Sequence, residues 1–110
     1  KEGKIMNSNR IKVTLYNRTF KEIDQSDFTR ITEGLFSNRD DIVEVAFPDG
    51  VETIGFNAFE NCRRLEKVEF PESLKSIESE AFINCTSLKE ADYGSNVKVA
   101  PDAFKGCINL

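Results

Sequence analysis

Three cysteines, Cys62, Cys85 and Cys107, are the only thiols in the chain, and they recur at steps of 23 and 22 residues. Such residues could bind a metal, form a disulfide or attack an electrophile. A structural zinc site calls for C-x2-C pairs or histidine partners. The sequence has neither, since it contains no histidine at all. A disulfide needs side chains aimed at one another, whereas side chains repeated at a fixed period point the same way. An odd count of thiols at a constant step therefore reads as buried, reduced core filler. The absence of histidine also removes the commonest general base. Ser26, Ser37, Ser73, Ser76, Ser79 and Ser87 have no group to activate them, and neither G-x-S-x-G nor G-x-x-x-x-G-K-[ST] occurs. The reading is a non-enzyme with no catalytic residue, no metal and no cofactor.

The step that spaces the cysteines runs through the whole second half. Ala58-Phe59, Ala81-Phe82 and Ala103-Phe104 recur in the same frame. The units are Ile42 to Arg64, Leu65 to Ser87 and Leu88 to Asn109, and Leu110 would begin a fourth. The third unit is one residue short between Val97 and Ala103, which aligns Val99 with Ile54 and Ile77. A shift of 23 places Phe28 under Val51, Ile31 under Ile54, Leu35-Phe36 under Ala58-Phe59 and Asn38 under Asn61, so a degenerate unit spans residues 19–41. Before it, Ile11, Val13 and Leu15 alternate with polar residues as in a half-buried strand. Residues 1–18 are expected to cap the first repeat.

Within each unit, apolar residues at the first, fourth and sixth places (Leu65, Val68 and Phe70 in the second) mark a strand. Pro48, Pro71 and Gly94 end it. A second short apolar pair follows at Val51/Ile54, Leu74/Ile77 and Val97/Val99. The Ala-Phe pair with Cys three residues later predicts a single helical turn with Phe and Cys facing inward. Asn61, Asn84 and Gly106 precede the cysteines, where a left-handed conformation would close that turn. No unit of 23 residues buries such a set alone; stacked neighbours do. The expected fold is a solenoid of class α/β, with a parallel sheet on one face and short helical turns and strands on the others.

That stacking sets the outward strand residues in columns: Val43/Glu66/Lys89, Glu44/Lys67/Glu90 and Ala46/Glu69/Asp92. The central column alternates in sign, which allows charge pairing between strands. Glu69 over Asp92 is the one place where acids stack without a base. The candidate contact surface is this face, with Glu44, Glu66, Lys67, Glu69, Lys89, Glu90 and Asp92. Phe56 is added because Ser79 and Pro101 hold its place in the other units, so the interior does not reserve it. Wide, shallow, repetitive surfaces suit macromolecular partners better than small molecules.

The pattern L-x-x-V-x-F-P-x-x-L-x-x-I-x-x-x-A-F-x-N-C-x-x-L, as it stands from Leu65 to Leu88, closely resembles the BspA-like, Treponema pallidum-type leucine-rich repeats. The resemblance covers residues 42–110 well and 19–41 weakly. It implies a right-handed leucine-rich repeat solenoid found mainly in bacterial surface and secreted proteins, with no catalytic residues and with adhesion to host matrix proteins or cell-surface glycoproteins as the characterised role. A spacer segment of a larger repeat protein, with no ligand of its own, is the alternative. Composition agrees with both: 39% hydrophobic and 31% charged residues, net charge −4, no basic patch for nucleic acid and no apolar run of membrane-spanning length. Of two Asn-x-Ser/Thr sequences, at Asn17 and Asn84, the one at Asn84, ending a turn beside a buried Cys, is read as structural, and a bacterial source makes both irrelevant as glycan acceptors. The chain opens at Lys1 without an initiator Met or leader pattern and stops at the apolar Leu110, which reads as a piece of a longer protein. Self-association through an open Phe104/Cys107 end is expected.

Overall fold

The computed structural model describes residues 10–24 and 29–110, so that Ser26 and Phe28 lie outside the described residues. Two hydrogen-bonded sheets run along the stack. In the first, β4 (Ile42–Ala46), β6 (Lys67–Glu69) and β8 (Glu90–Asp92) pair in parallel, with Val45, Val68 and Ala91 in register and buried. In the second, β3 (Arg30–Ile31), β5 (Thr53–Ile54), β7 (Ser76–Ile77) and β9 (Lys98–Val99) pair in parallel, with Ile31, Ile54, Ile77 and Val99 in one row. The result is a β-solenoid of about three turns.

At its N-terminal side the first sheet changes direction. β1 (Arg10–Leu15) buries Ile11 and Val13 and runs antiparallel to both β4 and β2 (Phe20–Asp24), giving the order β2-β1-β4-β6-β8. Residues 20–24 stand one repeat before β4, yet β1 is inserted between them and β4. The hairpin turn is closed by Asn17, whose Oδ1 accepts from the Thr19 amide and hydroxyl, and by Arg18 at φ 70°.

The third side of each coil is not helical. Among the described residues every regular element is a strand, so the expected α/β class with helical turns gives way to an all-β coil. The amides alternate their partners. Ala58, Glu60 and Cys62 donate three residues back, to Gly55, Asn57 and Phe59, while Asn57, Phe59 and Asn61 donate to Ser79, Ala81 and Ile83 of the next coil. A helix would need every amide turned to its own segment; here half of them hold the neighbour, and positive φ at Asn57 and Asn61 breaks the winding.

The core is a pair of aromatic columns. Phe36, Phe59, Phe82 and Phe104 stack at centroid spacings of 5.0, 5.0 and 5.2 Å. Phe47 and Phe70 stack beside them, each edge-on to its own coil's column residue. Such contacts add about 0.5–1.5 kcal/mol each beyond area burial. The missing residue of the third unit is also explained. In coils 1 and 2 two successive amides share one carbonyl, Glu52 and Thr53 on Thr29 and Lys75 and Ser76 on Glu52, whereas Lys98 alone donates to Lys75. The shorter unit omits that doubled residue.

Candidate functional site

Alternation along β4, β6 and β8 turns Val45, Val68 and Ala91 inward, so their neighbours face out. The register sets Glu44 beside Lys67 and Lys67 beside Glu90, and Ala46 beside Glu69 and Glu69 beside Asp92. Glu66 and Lys89 extend the ladder through backbone bonds from the Glu66 amide to Val43 and from the Lys89 amide to Glu66. The seven first-sheet candidates therefore lie on one surface. Phe56 does not join them. It follows β5 in the second sheet, about two-fifths exposed (40%), with its amide on Glu78 Oε1.

Charge on this face is arranged differently from the column reading. Lys67 Nζ lies 3.5 Å from Glu69 Oε2, on its own strand, and bridges neither Glu44 nor Glu90. With Lys67 38% and Glu69 61% exposed, the pair contributes no more than about 1 kcal/mol. Glu69 thus has a basic partner, whereas Asp92, like Glu44, Glu66 and Glu90, has no ion pair among the described residues. The strand β1 adds residues that no repeat alignment could place: Lys12 stands beside Ala46 and Thr14 beside Glu44.

The end of the face where the strands begin is basic. Tyr16, Arg18, Val43, Arg64, Glu66 and Ser87 line a shallow hollow there, with the Arg64 guanidinium 4.9 Å from the Tyr16 ring centroid. Tyr16 and Arg18 come from the hairpin turn, whose approach to β4 depends on the inserted strand. At the opposite end, where the strands finish, Glu69 lies beside Asp92, and Asp92 lines a hollow with Glu72 of the corner. Charge is uneven along the strand direction: Arg18 and Arg64 gather with Glu66 at the start, and Glu69 and Asp92 stand at the finish, where Lys12 of β1 joins their row.

The residues with chemistry elsewhere are committed to structure. Each thiol donates to the carbonyl of the column Phe one coil back: Cys62 to Phe36, Cys85 to Phe59 and Cys107 to Phe82, all at 3.1 Å. Contact with the Cys107 and Cys62 sulfurs, together with burial, pushes the Cys85 thiol far above its usual range. Ser37, Ser73 and Ser79 hydroxyls donate to Asn57 O, Val51 O and Asp102 Oδ2, and Ser76 meets Thr53. Asn84, one of the two glycosylation-type asparagines, donates to Asn61 Oδ1, and Asn61 donates to Asn38 Oδ1. No three His, Cys, Asp or Glu side chains among the described residues converge as a metal site.

A broad, charged, solvent-facing sheet of this kind can bind a surface. No curated protein and no solved structure matches the chain. The BspA-type leucine-rich repeat region matches residues 7–110 in six copies. Leucine-rich repeats commonly mediate protein–protein interaction, in keeping with the exposed face described above. Covering nearly all of a chain whose coils stack as parallel strands, that match shows that the protein belongs to the BspA-type leucine-rich repeat family.

Proposed function

We propose that the chain is a non-catalytic recognition module that docks a protein partner on the first-sheet face, as part of a secreted or surface-displayed adhesion protein. Residues 1–18 act as its cap, 19–41 as a degenerate first repeat and 42–110 as the repeating body. The observation that carries the reading is the uneven charge of the face, with Arg18 and Arg64 beside Tyr16 at one end and Glu69 and Asp92 at the other. A partner of complementary polarity is oriented by such a field before contact, and a wrong orientation places like charges together. Glu44, Glu66, Lys67, Lys89 and Glu90 lie between those ends. Phe56, in the second sheet, forms a separate contact point. Host matrix proteins and cell-surface glycoproteins are the partner class to test.

The test is surface plasmon resonance of the purified chain over a panel of such proteins, beside the double variant Glu69→Lys/Asp92→Lys. Both substitutions are on exposed sites, so circular dichroism should be unchanged. A saturable interaction that weakens on salt addition and disappears in the variant supports the face as the docking surface. A well-folded chain that captures nothing from the panel would instead assign these repeats a spacer role.

A further inference from the structure

The corner that follows β4 and β6 is closed between coils 1 and 2. Phe47 N–H donates to Glu69 O at 3.2 Å, and Ser73 Oγ accepts from Gly50 N–H and donates to Val51 O, both at 2.8 Å. Between coils 2 and 3 each of these ties is missing. Phe70 N–H has no such bond to Asp92 O, and Asn96, which takes the place of Ser73, makes neither hydrogen bond. The aromatic column breaks at the same point. Phe47 and Phe70 are inclined by 16°, but Tyr93 lies at 72° to Phe70 and turns face-on to Phe104. Where Pro48 and Pro71 stand, this coil has Gly94, which removes one wall.

The corner therefore opens into a cleft of about 410 Å³. Phe70, Leu74, Tyr93 and Val97 supply apolar and aromatic surface, and Glu72 and Asp92 supply two carboxylates. Neither carboxylate has an ion-pair partner among the described residues, and no basic side chain lines the cleft. Tyr93, with 43% of the residue exposed, beside carboxylates that have no ion-pair partner suits a flat cation. A guanidinium can lie against the tyrosine face while its N–H fork meets a carboxylate, which a compact ammonium does less well.

We infer that this cleft takes an arginine side chain from an extended segment of the protein partner; the inference rests on the recognition-module reading and names the chemistry of its acidic end. Glu69, the last residue of β6 and one position before Phe70, meets a second basic residue of that segment in place of its own-strand partner Lys67.

The test is a 1H–15N correlation titration of the chain with the peptide Ac-Gly-Arg-Gly-NH2, repeated with lysine and with citrulline in place of arginine. Saturating shifts confined to residues 70–74 and 92–97, weaker with lysine and absent with citrulline, are expected. Asp92→Asn and Tyr93→Ala should each weaken the arginine peptide roughly fivefold. Because Tyr93 also supports Phe104, the isosteric Asp92→Asn decides the matter if Tyr93→Ala perturbs the fold. No saturable shift, shifts of equal size with citrulline, or binding to lysine as tight as to arginine would overturn the assignment. A partner that docks on the sheet while the arginine peptide fails overturns the cleft alone. Arginine binding in a chain that captures no protein upholds the cleft and removes the recognition reading.

Discussion

Phe82 has an aromatic ring above and below it, at 5.0 and 5.2 Å, and no exposed surface. Truncating it opens a cavity that parallel coils at fixed spacing cannot collapse to fill, so Phe82→Ala should cost about 3–5 kcal/mol, read as a fall in the denaturation midpoint. The neighbouring thiols offer a gentler probe. Cys62 and Cys85 are buried and Cys107 only half so, and thiolates are the reactive species. Iodoacetamide at mildly alkaline pH should label Cys107 first and reach Cys85 only on unfolding; equal labelling of all three in the native chain would contradict the buried column. Both features were legible in the sequence, because a phenylalanine and a cysteine repeating together at one period can only face one interior. The left-handed turn was legible as well: Asn61 and Asn84 adopt φ 63° and Gly106 φ 81°. What the sequence did not reveal is that Asn38, Asn61 and Asn84 bond to one another along the stack, since a residue suited to a turn says nothing about which neighbour its side chain will meet.

At the scale of the element, strands were easier to read than the turns between them. The alternation around Val45 and Val68 marks a strand whatever surrounds it. The Ala-Phe-x-x-Cys segment carries a helical spacing, yet its amides are divided between its own coil and the next, a competition that appears only once coils stack. The hairpin was beyond local pattern too, because β1 buries Ile11 and Val13 equally well beside any apolar strand. One contact between elements is testable through its protonation. Arg30 in β3 makes a bidentate pair with Glu78 after β7, at 2.7 and 3.1 Å, spanning the intervening coil, and Phe56 N–H bonds the same carboxylate. The guanidinium holds the Glu78 carboxyl below its ordinary value. A carboxylate with a lowered folded pKa stabilises the fold above the unfolded glutamate value, about 4.3, and that stabilisation is lost as pH falls through the folded value. Glu78→Gln should therefore lower the melting temperature near neutral pH, by an amount corresponding to about 1 kcal/mol at this partly exposed site. The difference should shrink as pH falls through the folded carboxyl's value, where the parent side chain itself becomes protonated. A deficit that persists unchanged in acid would assign Glu78 a packing role without its charge.

Across the whole molecule, stability is a sum over seams between neighbouring coils, and the seams are unequal. Coils 1 and 2 are joined at the corner by the Phe47 amide and the Ser73 clamp, on the second sheet by Thr53 and Ser76, and on the third side by the Nδ2 of Asn84 on Asn61. Coils 2 and 3 keep the parallel ladders, the Ser79–Asp102 bond and a bond from Asn109 Nδ2 to Thr86 O, but lack the corner ties, have Lys98 opposite Ser76, and end the asparagine ladder where Gly106 replaces the next rung. In a linear array the least-joined seam opens first, without unfolding its neighbours. Native-state hydrogen exchange should therefore show the coil 2 amides bonded across this seam, Phe82 and Asn84, opening in a sub-global step, while Phe59 and Asn61 of coil 1 exchange only with global unfolding. Asn96→Ser, which restores the hydroxyl found one coil earlier, should slow that step and narrow the cleft, so it should also weaken the arginine peptide. Protection rising at Phe82 and Asn84 as peptide affinity falls would tie the recognition cleft to the weak seam. Identical protection at all four amides would show the stack opening as one unit, with the open corner a local feature of coil 3 and no part of its stability.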